Sequence, residues 1–329
     1  MKKILLVLLL LGSVSFAQYS NLGSSGAQFL QIPVGARAVG MGGAVIGTID
    51  DATSVFWNPA GLSRVANWDA QFSYSRWFEM FDINSAAVAY TMPDIGTFAL
   101  SYISVSSGKM EITTEKQPNG TGRFFDANDM AIGLSYSRLL TDKFSVGVTA
   151  KYVYQRIWNE TADGIAFDIG TQYTLDFQNL TIAMSMSNFG SDLQFDGPDL
   201  NIVYLKDPAN PLSRLAPARL QTDPYSLPLH FQVGAAIDIY RNNFMKVRGG
   251  IDVTHPNDNV ERINLGTEIA FFDRMYLRGG YRFNYDDEKL NFGAGANLPL
   301  GNTLLTFDYS YSVYDILPKV QRISLGIRF

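Results

Sequence analysis

Cysteine is absent from this chain of 329 residues. Its absence excludes disulfide bonds, catalytic thiols and thiolate metal sites, so stability must come from hydrogen bonding and packing. Histidine is scarce: the chain has only His230 and His255. No group of His, Asp and Glu has the spacing of a metal site, and no serine, base and acid stand out as a catalytic triad. We therefore expect no enzyme, no metal and no cofactor.

Basic clusters and long apolar runs are also lacking. The chain has 26 Lys and Arg against 31 Asp and Glu, a net charge of −5, and without a basic patch nucleic acid is not an expected partner. The apolar run at residues 4–11 is shorter than the ~20 residues of a spanning helix. Lys2 and Lys3 precede this run and Ser15-Phe16-Ala17 follows it. This arrangement predicts a signal peptide over residues 1–17, and a retained anchor is the alternative.

The most prominent feature of the sequence is a strict alternation of apolar and polar residues. The last nine residues show it most clearly, because the alternation continues to the terminal residue. Chain ends usually fray in soluble domains, whereas a sheet edge in hydrocarbon must be paired. We interpret residues 321–329 as the strand that closes a barrel in a membrane. Its predicted lipid-facing residues are Ile323, Leu325, Ile327 and Phe329.

The same period of two recurs along most of the chain and predicts about fourteen strands. An even number in this range is typical of bacterial outer-membrane barrels. The fold class is therefore all-β, a transmembrane antiparallel β-barrel over residues 69–329. The predicted strands are 69–77, 83–92, 96–105, 127–139, 142–157, 161–176, 178–188, 228–240, 243–255, 260–272, 274–284, 289–299, 302–313 and 320–329.

The connections divide into two groups. If the N-terminus lies on the periplasmic side, every second connection is a tight turn, and the long connections 106–126 and 189–227 both fall on the external side. Both chain termini are then periplasmic. Five prolines interrupt 189–227, so we expect no regular strand there. Its apolar residues favour a packed external lid or docking loop, and a disordered loop is the alternative.

Charged residues decide which face of the barrel meets lipid. A Lys or Arg on the lipid side costs ~2–4 kcal/mol at the membrane midplane, and several would exceed the stability of an ordinary domain. The charged face must therefore line the lumen, although a soluble barrel with an apolar interior has the same pattern. The predicted lumenal residues are Lys151, Arg248, Asp252, Arg262, Glu268, Arg278, Arg282, Asp308, Arg322 and Arg328.

Residues 18–68 lack this alternation and are rich in Gly, Ala and Ser. Small residues let a backbone approach another surface closely, so we expect the segment to fold into the lumen as an N-terminal plug. Charged residues of the segment can pair with charges of the wall. The residues that we expect to carry the plug are Arg37, Gly40, Gly42, Gly43, Asp50, Asp51, Trp57, Asn58, Pro59, Ala60 and Gly61.

This glycine-rich motif, with Asp50-Asp51 and then Trp57-Asn58-Pro59-Ala60-Gly61-Leu62, resembles the N-terminal signature of the PorV/PorQ family. That family belongs to the wider group of FadL-like outer-membrane barrels, with which it shares the Asn-Pro-Ala core. The resemblance implies a fourteen-stranded barrel with a lumenal plug. It also implies a non-enzymatic role in type IX secretion, in which cargo C-terminal signal domains are bound and passed to surface attachment machinery.

Two other functions stay open at this point. A FadL-like channel for hydrophobic small molecules would need an apolar pocket between plug and wall. A barrel enzyme would need a converging catalytic group. The partners expected under the first hypothesis are outer-membrane lipid, the barrel assembly machinery, the type IX translocon and its cargo signal domains.

Overall fold

A closed barrel of fourteen antiparallel strands dominates the computed structural model, which describes residues 22–205 and 214–329. The predicted fold class is confirmed. Two further strand pairs lie outside the wall. In chain order the strands are β1 (Trp68–Trp77), β2 (Phe81–Met92), β3 (Gly96–Ser106), β4 (Met110–Glu111), β5 (Phe124–Phe125), β6 (Ala127–Thr141), β7 (Phe144–Ile157), β8 (Glu160–Thr174), β9 (Thr181–Gly190), β10 (Asn201–Leu205), β11 (Leu215–Arg219), β12 (His230–Arg241), β13 (Met245–Pro256), β14 (Arg262–Phe271), β15 (Met275–Phe283), β16 (Glu288–Leu300), β17 (Thr303–Tyr314) and β18 (Val320–Arg328).

The barrel closes between its first and last strands. β18 pairs with β1 from Asp69 opposite Arg328 to Ser75 opposite Arg322, and the Phe329 N–H donates to the Trp68 carbonyl at 3.0 Å. Side chains of a strand alternate between the two faces of a sheet. In β18 the apolar set is therefore on the outer surface, where Ile323, Leu325, Ile327 and Phe329 are 40–58% exposed.

The two ends of the barrel differ in their connections. At the end that holds Trp68 and Phe329, all connections between neighbouring strands are short, and we call it the turn end. The long connections 107–126 and 191–229 both lie at the opposite end, which we call the loop end. This sorting of connections is typical of outer-membrane barrels.

The described parts of the long connection 191–229 contain more regular structure than the sequence predicted. We expected no regular strand because of its prolines, and this was wrong for β10 and β11, which form an antiparallel hairpin. Pro217 lies opposite Val203 in this hairpin. Proline is tolerated at the edge of a sheet when its missing N–H would have pointed away from the partner strand.

Helical structure in the described residues is confined to short pieces. A one-turn helix, α1 (Ala36–Gly40), and 3₁₀ turns at Gln28–Gln31, Ala52–Phe56 and Pro59–Arg64 precede the barrel. No helix in this part of the chain is long and apolar enough to cross a membrane. The predicted signal peptide, residues 1–17, lies outside the described residues.

Candidate functional site

Residues 27–65, which we call the lumenal segment, lie inside the barrel. The segment contacts the wall on several sides: the backbone at Gly42 lies against Gly280 of β15, and the backbone at Pro59 and Ala60 lies against Gly147 of β7. A Cβ atom at Gly280 or Gly147 would collide with the segment. The wall therefore uses glycine where the backbone of the segment approaches most closely.

The first part of the predicted plug motif packs against one side of the wall. Helix α1 contacts β15, β16, β17 and β18, and Gly40 lies against the backbone of Gly293. Gly42 and Gly43 both have positive φ angles, 65° and 80°, which an L-residue with a side chain adopts only at a cost. These glycines thus turn the chain where a Cβ atom would lie only 3.1–3.3 Å from its nearest neighbours.

The second part of the motif is held by Asn58, which is fully buried. Its carbonyl oxygen accepts from the Ala60 N–H at 3.1 Å and so caps the turn that Pro59 begins. Its amide nitrogen donates to the carbonyls of Ile46, at 3.1 Å, and Thr171 of the wall, at 3.2 Å. One side chain thus joins two parts of the segment to β8. The Asn-Pro-Ala core is explained here by hydrogen bonding and needs no catalytic role.

Trp57 ties the two parts of the segment together. Its indole N–H donates to the Val34 carbonyl at 3.0 Å, and its ring packs on the buried cluster of Met41, Val45 and Ile49. The lumenal segment therefore has a small apolar core of its own, between the polar surfaces that face the wall.

Ion pairs fasten the segment near the turn end. The Arg37 guanidinium lies 2.6 Å from the Asp50 carboxylate, 3.0 Å from that of Asp51 and 3.4 Å from that of Glu268 in β14. Glu268 is in turn 2.7 Å from Arg278. Each member of this cluster thus has a partner of opposite charge, which buried charges require.

The cluster shifts the pKa values of the charged groups in the segment. Burial acts to raise the pKa of Asp50, but Arg37, Arg248 and Arg328 outweigh it and hold that pKa well below its usual range. Burial acts to lower the pKa of Arg37, and its three carboxylates hold that pKa well above the ordinary value. Both groups therefore stay charged at neutral pH, and the ion pairs persist.

Asp252 of β13 is a wall residue whose role the sequence did not reveal. Its carboxylate accepts from the backbone N–H groups of Val45, at 2.8 Å, and Ile46, at 3.1 Å. The alternation of β13 predicted only that Asp252 faces the lumen. Its partners are some 200 residues away in sequence, so no local pattern could have identified them.

Residues 25–34, which we call the strap, lie at the loop end. The Gly26 N–H donates to the Ser226 carbonyl at 3.0 Å, so the strap joins the long connection 191–229. Phe29 is buried with Leu193 and Leu227 of that connection. The chain therefore runs through the whole lumen, from the strap at the loop end to β1 at the turn end.

Asp258, in the turn between β13 and β14, binds the strap through hydrogen bonds. Its carboxylate accepts from the hydroxyl of Ser25 and from the amides of Gln28, at 2.5 Å, and Gln31, at 3.3 Å. Burial acts to raise the pKa of Asp258, but these hydrogen bonds bring it below the ordinary value. The sequence did not reveal these hydrogen bonds, because none of the four residues stands out in composition or spacing.

A cavity of about 370 Å³ lies between the strap and the wall at the loop end. Apolar side chains of the segment, including Ile32 and Phe56, line one part of it. Elsewhere the guanidinium groups of Arg262 and Arg282 lie 4.5 and 5.1 Å from the ring centre of Tyr285. The volume falls within the range of small-molecule sites, ~300–1,000 Å³. The mixed lining suits an amphipathic molecule.

The described residues hold no cluster of three His, Asp or Glu side chains that could bind a metal ion. His255 lies 3.1 Å from Glu261 near the surface, and His230 begins β12 beside the cavity. Neither histidine belongs to a set of converging ligands.

These observations define a class of protein: an outer-membrane β-barrel whose lumen is occupied by its own N-terminal segment. The chain matches the model of the family described as "Type IX secretion system protein PorV" over residues 16–198, more than half of its length. The chain belongs to that family. The predicted resemblance to PorV/PorQ proteins is therefore confirmed. No curated protein matches the chain.

Solved structures with a similar fold include two toluene transporters and a FadL homologue. The toluene transporter TbuX of Ralstonia pickettii is 12% identical, with a TM-score of 0.56 over 90% of this chain and 98% of that chain. A FadL homologue of Pseudomonas aeruginosa is 13% identical, with a TM-score of 0.55 over 91% and 98%. The toluene transporter TodX of Pseudomonas putida is 12% identical, with a TM-score of 0.53 over 89% and 96%. At this level of identity the likeness concerns the fold.

Proposed function

We propose that this protein is a non-enzymatic component of type IX protein secretion, which binds cargo signal domains and hands them to surface attachment machinery. Family membership supports the pathway. The observation that carries the binding role is the long connection 191–229, whose base is packed and whose hairpin is exposed and apolar. Val203 and Leu215 of this hairpin are 66% and 68% exposed. Large exposed apolar groups on an ordered element are typical of interaction sites.

The proposal includes an orientation. The loop end faces the cell exterior and the turn end, with Phe329, faces the periplasm, because long loops are external in such barrels. The strap then lies on the external side. This differs from the expectation that both chain termini are periplasmic, which the proposal keeps for the C-terminal end alone. Outer-membrane lipid then surrounds the apolar wall. The barrel assembly machinery is the partner that recognises and inserts the closing strand, β18. The translocon of type IX secretion is the partner at the external loops.

The lumenal segment acts as a plug in this proposal. Ion pairs at Arg37 and hydrogen bonds at Asn58 and Asp252 fasten it to separate parts of the wall. A barrel sealed in this way presents exported proteins at its outer surface and does not conduct them through its lumen.

Deletion of the protein tests the proposed function. We expect cargo with C-terminal signal domains to fail to reach the cell surface, and a purified native complex to contain cargo and translocon components. The control is a strain that is complemented with the full chain. Normal secretion and anchoring of every signal-bearing cargo in the deletion strain would contradict the proposal.

The cavity at the loop end supports a second candidate, a FadL-like channel for hydrophobic small molecules. Its apolar side at Ile32 and Phe56 can accommodate such a ligand. Uptake of long-chain lipids and hydrocarbons by the deletion strain tests this function. Reduced uptake that Ile32→Arg fails to restore, while the wild-type chain does, would favour the channel. Unchanged uptake would exclude it.

A further inference from the structure

The hairpin of β10 and β11 lies outside the barrel wall, and in the described part of the chain both of its outer edges are without a partner strand. Among the described residues, the two strands pair with each other and with no other strand. Apolar side chains are exposed on both faces of the hairpin: Val203 and Leu215 on one face, and Ile202 and Tyr204 on the other. A two-stranded sheet alone is only marginally stable in water. This hairpin is therefore suited to gain stability from a third strand.

One hydrogen bond establishes which backbone groups of the hairpin point outward. The Leu220 N–H donates to the Leu200 carbonyl at 2.8 Å, so these residues form a hydrogen-bonded pair. Such pairs alternate with non-hydrogen-bonded pairs along an antiparallel ladder. Val203 and Pro217, three positions further along, therefore form a non-hydrogen-bonded pair. Their backbone groups point away from the hairpin, toward its two outer edges.

The two edges differ in what they offer to another strand. On β11 the central outward position is Pro217, which has no N–H, and Arg219 adds a charge at the end of the strand. Proline and charge are the devices that block edge-to-edge pairing in natural sheets. On β10 the central outward position is Val203, with both its N–H and its carbonyl, and residues 201–205 contain neither proline nor charge. Only the β10 edge is open.

We propose that the outer edge of β10 binds an extended strand of the cargo signal domain by strand addition. This inference rests on the proposed function, and it identifies where on the outer surface the signal domain is recognised. Main-chain hydrogen bonds supply affinity in this mode of binding, and side chains beside the ladder supply specificity. Because both faces of the hairpin are apolar, the partner strand has consecutive apolar residues opposite Val203.

Val203→Pro tests the inference, because it removes the outward N–H and leaves the hydrogen-bonded pairs of the hairpin in place. The matched control is Val203→Thr, which keeps the N–H and the branched shape. The measurement is the affinity of the full-length protein in detergent for the isolated C-terminal signal domain of a type IX cargo from the same bacterium. We expect about tenfold weaker binding for Val203→Pro, since a lost main-chain hydrogen bond costs about 1 kcal/mol or more. We expect less than a twofold change for Val203→Thr.

A second measurement does not depend on the proline. Because the chain has no cysteine, Val203→Cys provides a single thiol for disulfide formation with cysteines placed one by one along a strand of the signal domain. Strand addition predicts the most efficient crosslinking at the one position opposite residue 203, weaker crosslinking two positions away on either side, and none at the positions between, whose side chains lie on the other face. Crosslinking without this pattern, or at no position although the domain binds, would overturn the inference.

The outcomes separate the inference from the proposed function. If the wild-type protein binds the signal domain and Val203→Pro binds it equally well, the β10 edge is not the site and the proposed function stands. If the wild-type protein does not bind the domain, both fail. If Val203→Pro and Val203→Thr weaken binding alike, the side chain and not the edge is recognised, and strand addition is rejected.

Discussion

The guanidinium of Arg328 lies 2.9 Å from the Asp69 carboxylate, and it also lies 3.3 Å from the carboxylate of Asp51. Asp69 is the second residue of the first strand of the barrel, Arg328 ends the last strand, and Asp51 belongs to the lumenal segment. Both carboxylates are almost fully buried. A single cation thus joins the two strands that close the barrel to the segment inside it.

Arg328→Ala should therefore destabilise the closed barrel. Removal of one partner from a buried ion pair costs about 3 kcal/mol or more, because the remaining charges are left uncompensated. The measurement is the free energy of unfolding in urea, with the migration of unheated protein in gels as a check on folding. Arg328→Lys keeps the charge and should fall between the variant and the wild type. Equal stability of Arg328→Ala and the wild type would show that the carboxylates need no cation here.

Gly280 and Gly279 provide a matched pair of substitutions in β15. A Cβ atom at Gly280 would collide with the backbone of Met41 and Gly42, whereas a Cβ atom at Gly279 would meet nothing within 4 Å. Gly280→Ala should displace the lumenal segment and increase hydrogen exchange at residues 40–44. Gly279→Ala should leave exchange unchanged, because it adds its methyl group on the outer face. Similar exchange in both variants would contradict the observed contact between Gly280 and the backbone of the lumenal segment.

The strands of the barrel wall could be predicted because each strand shows its own pattern of apolar and polar residues. Each strand must place apolar residues toward lipid and polar residues toward the lumen, so a period of two marks both the strand and its faces. For β18 the alternation defined two faces, and the charges of Arg322 and Arg328 assigned Ile323 and Leu325 to the outer one. The boundaries of the fourteen wall strands differ from the predicted ones by at most a few residues.

The contacts of the lumenal segment could not be predicted in the same way. Asp252 accepts hydrogen bonds from Val45 and Ile46 across the barrel, and Asp258 accepts hydrogen bonds from the strap. No pattern in the sequence links either aspartate to its partners. The prediction of no regular strand in the region of β10 and β11 was wrong for another reason. Proline excludes a strand only where its N–H is needed, and at Pro217 that group would have pointed outward.

Arg37→Ala should open the lumen to ions if the segment is a plug. Arg37 joins Asp50 and Asp51 of the segment to Glu268 of the wall, so its loss leaves carboxylates that repel one another. We expect more frequent and larger current steps in planar bilayers than with the wild-type protein. Arg37→Lys retains the positive charge and should conduct less than Arg37→Ala. Identical currents for all three proteins would show that Arg37 does not hold the segment in place.

Acid should loosen the segment through Asp50. The pKa of Asp50 in the folded protein is held well below its usual value, which is ~3.9 in an unfolded chain. A carboxylate with a depressed pKa contributes stability that is complete above about pH 4 and is lost as the pH falls through the folded-state pKa. Hydrogen exchange at residues 36–51, corrected for its intrinsic dependence on pH, should therefore rise below about pH 4 and stay constant between pH 5 and 8. In Asp50→Asn this acid-induced rise should be smaller, and an unchanged rise would assign it to another group.

Ser24→Cys tests whether the chain runs through its own barrel to the outside. Ser24 is exposed and directly precedes Ser25, which bonds to Asp258, and Gly26, which bonds to Ser226 at the loop end. If the loop end is external, a membrane-impermeant maleimide should label Ser24→Cys in intact cells. The control is Asn302→Cys, in the turn between β16 and β17 at the opposite end, which should be labelled only after the outer membrane is permeabilised. The native chain gives no background, because it has no cysteine. The reverse pattern of labelling would mean that the loop end faces the periplasm, and the binding of cargo at the outer surface by the long connection would then be excluded.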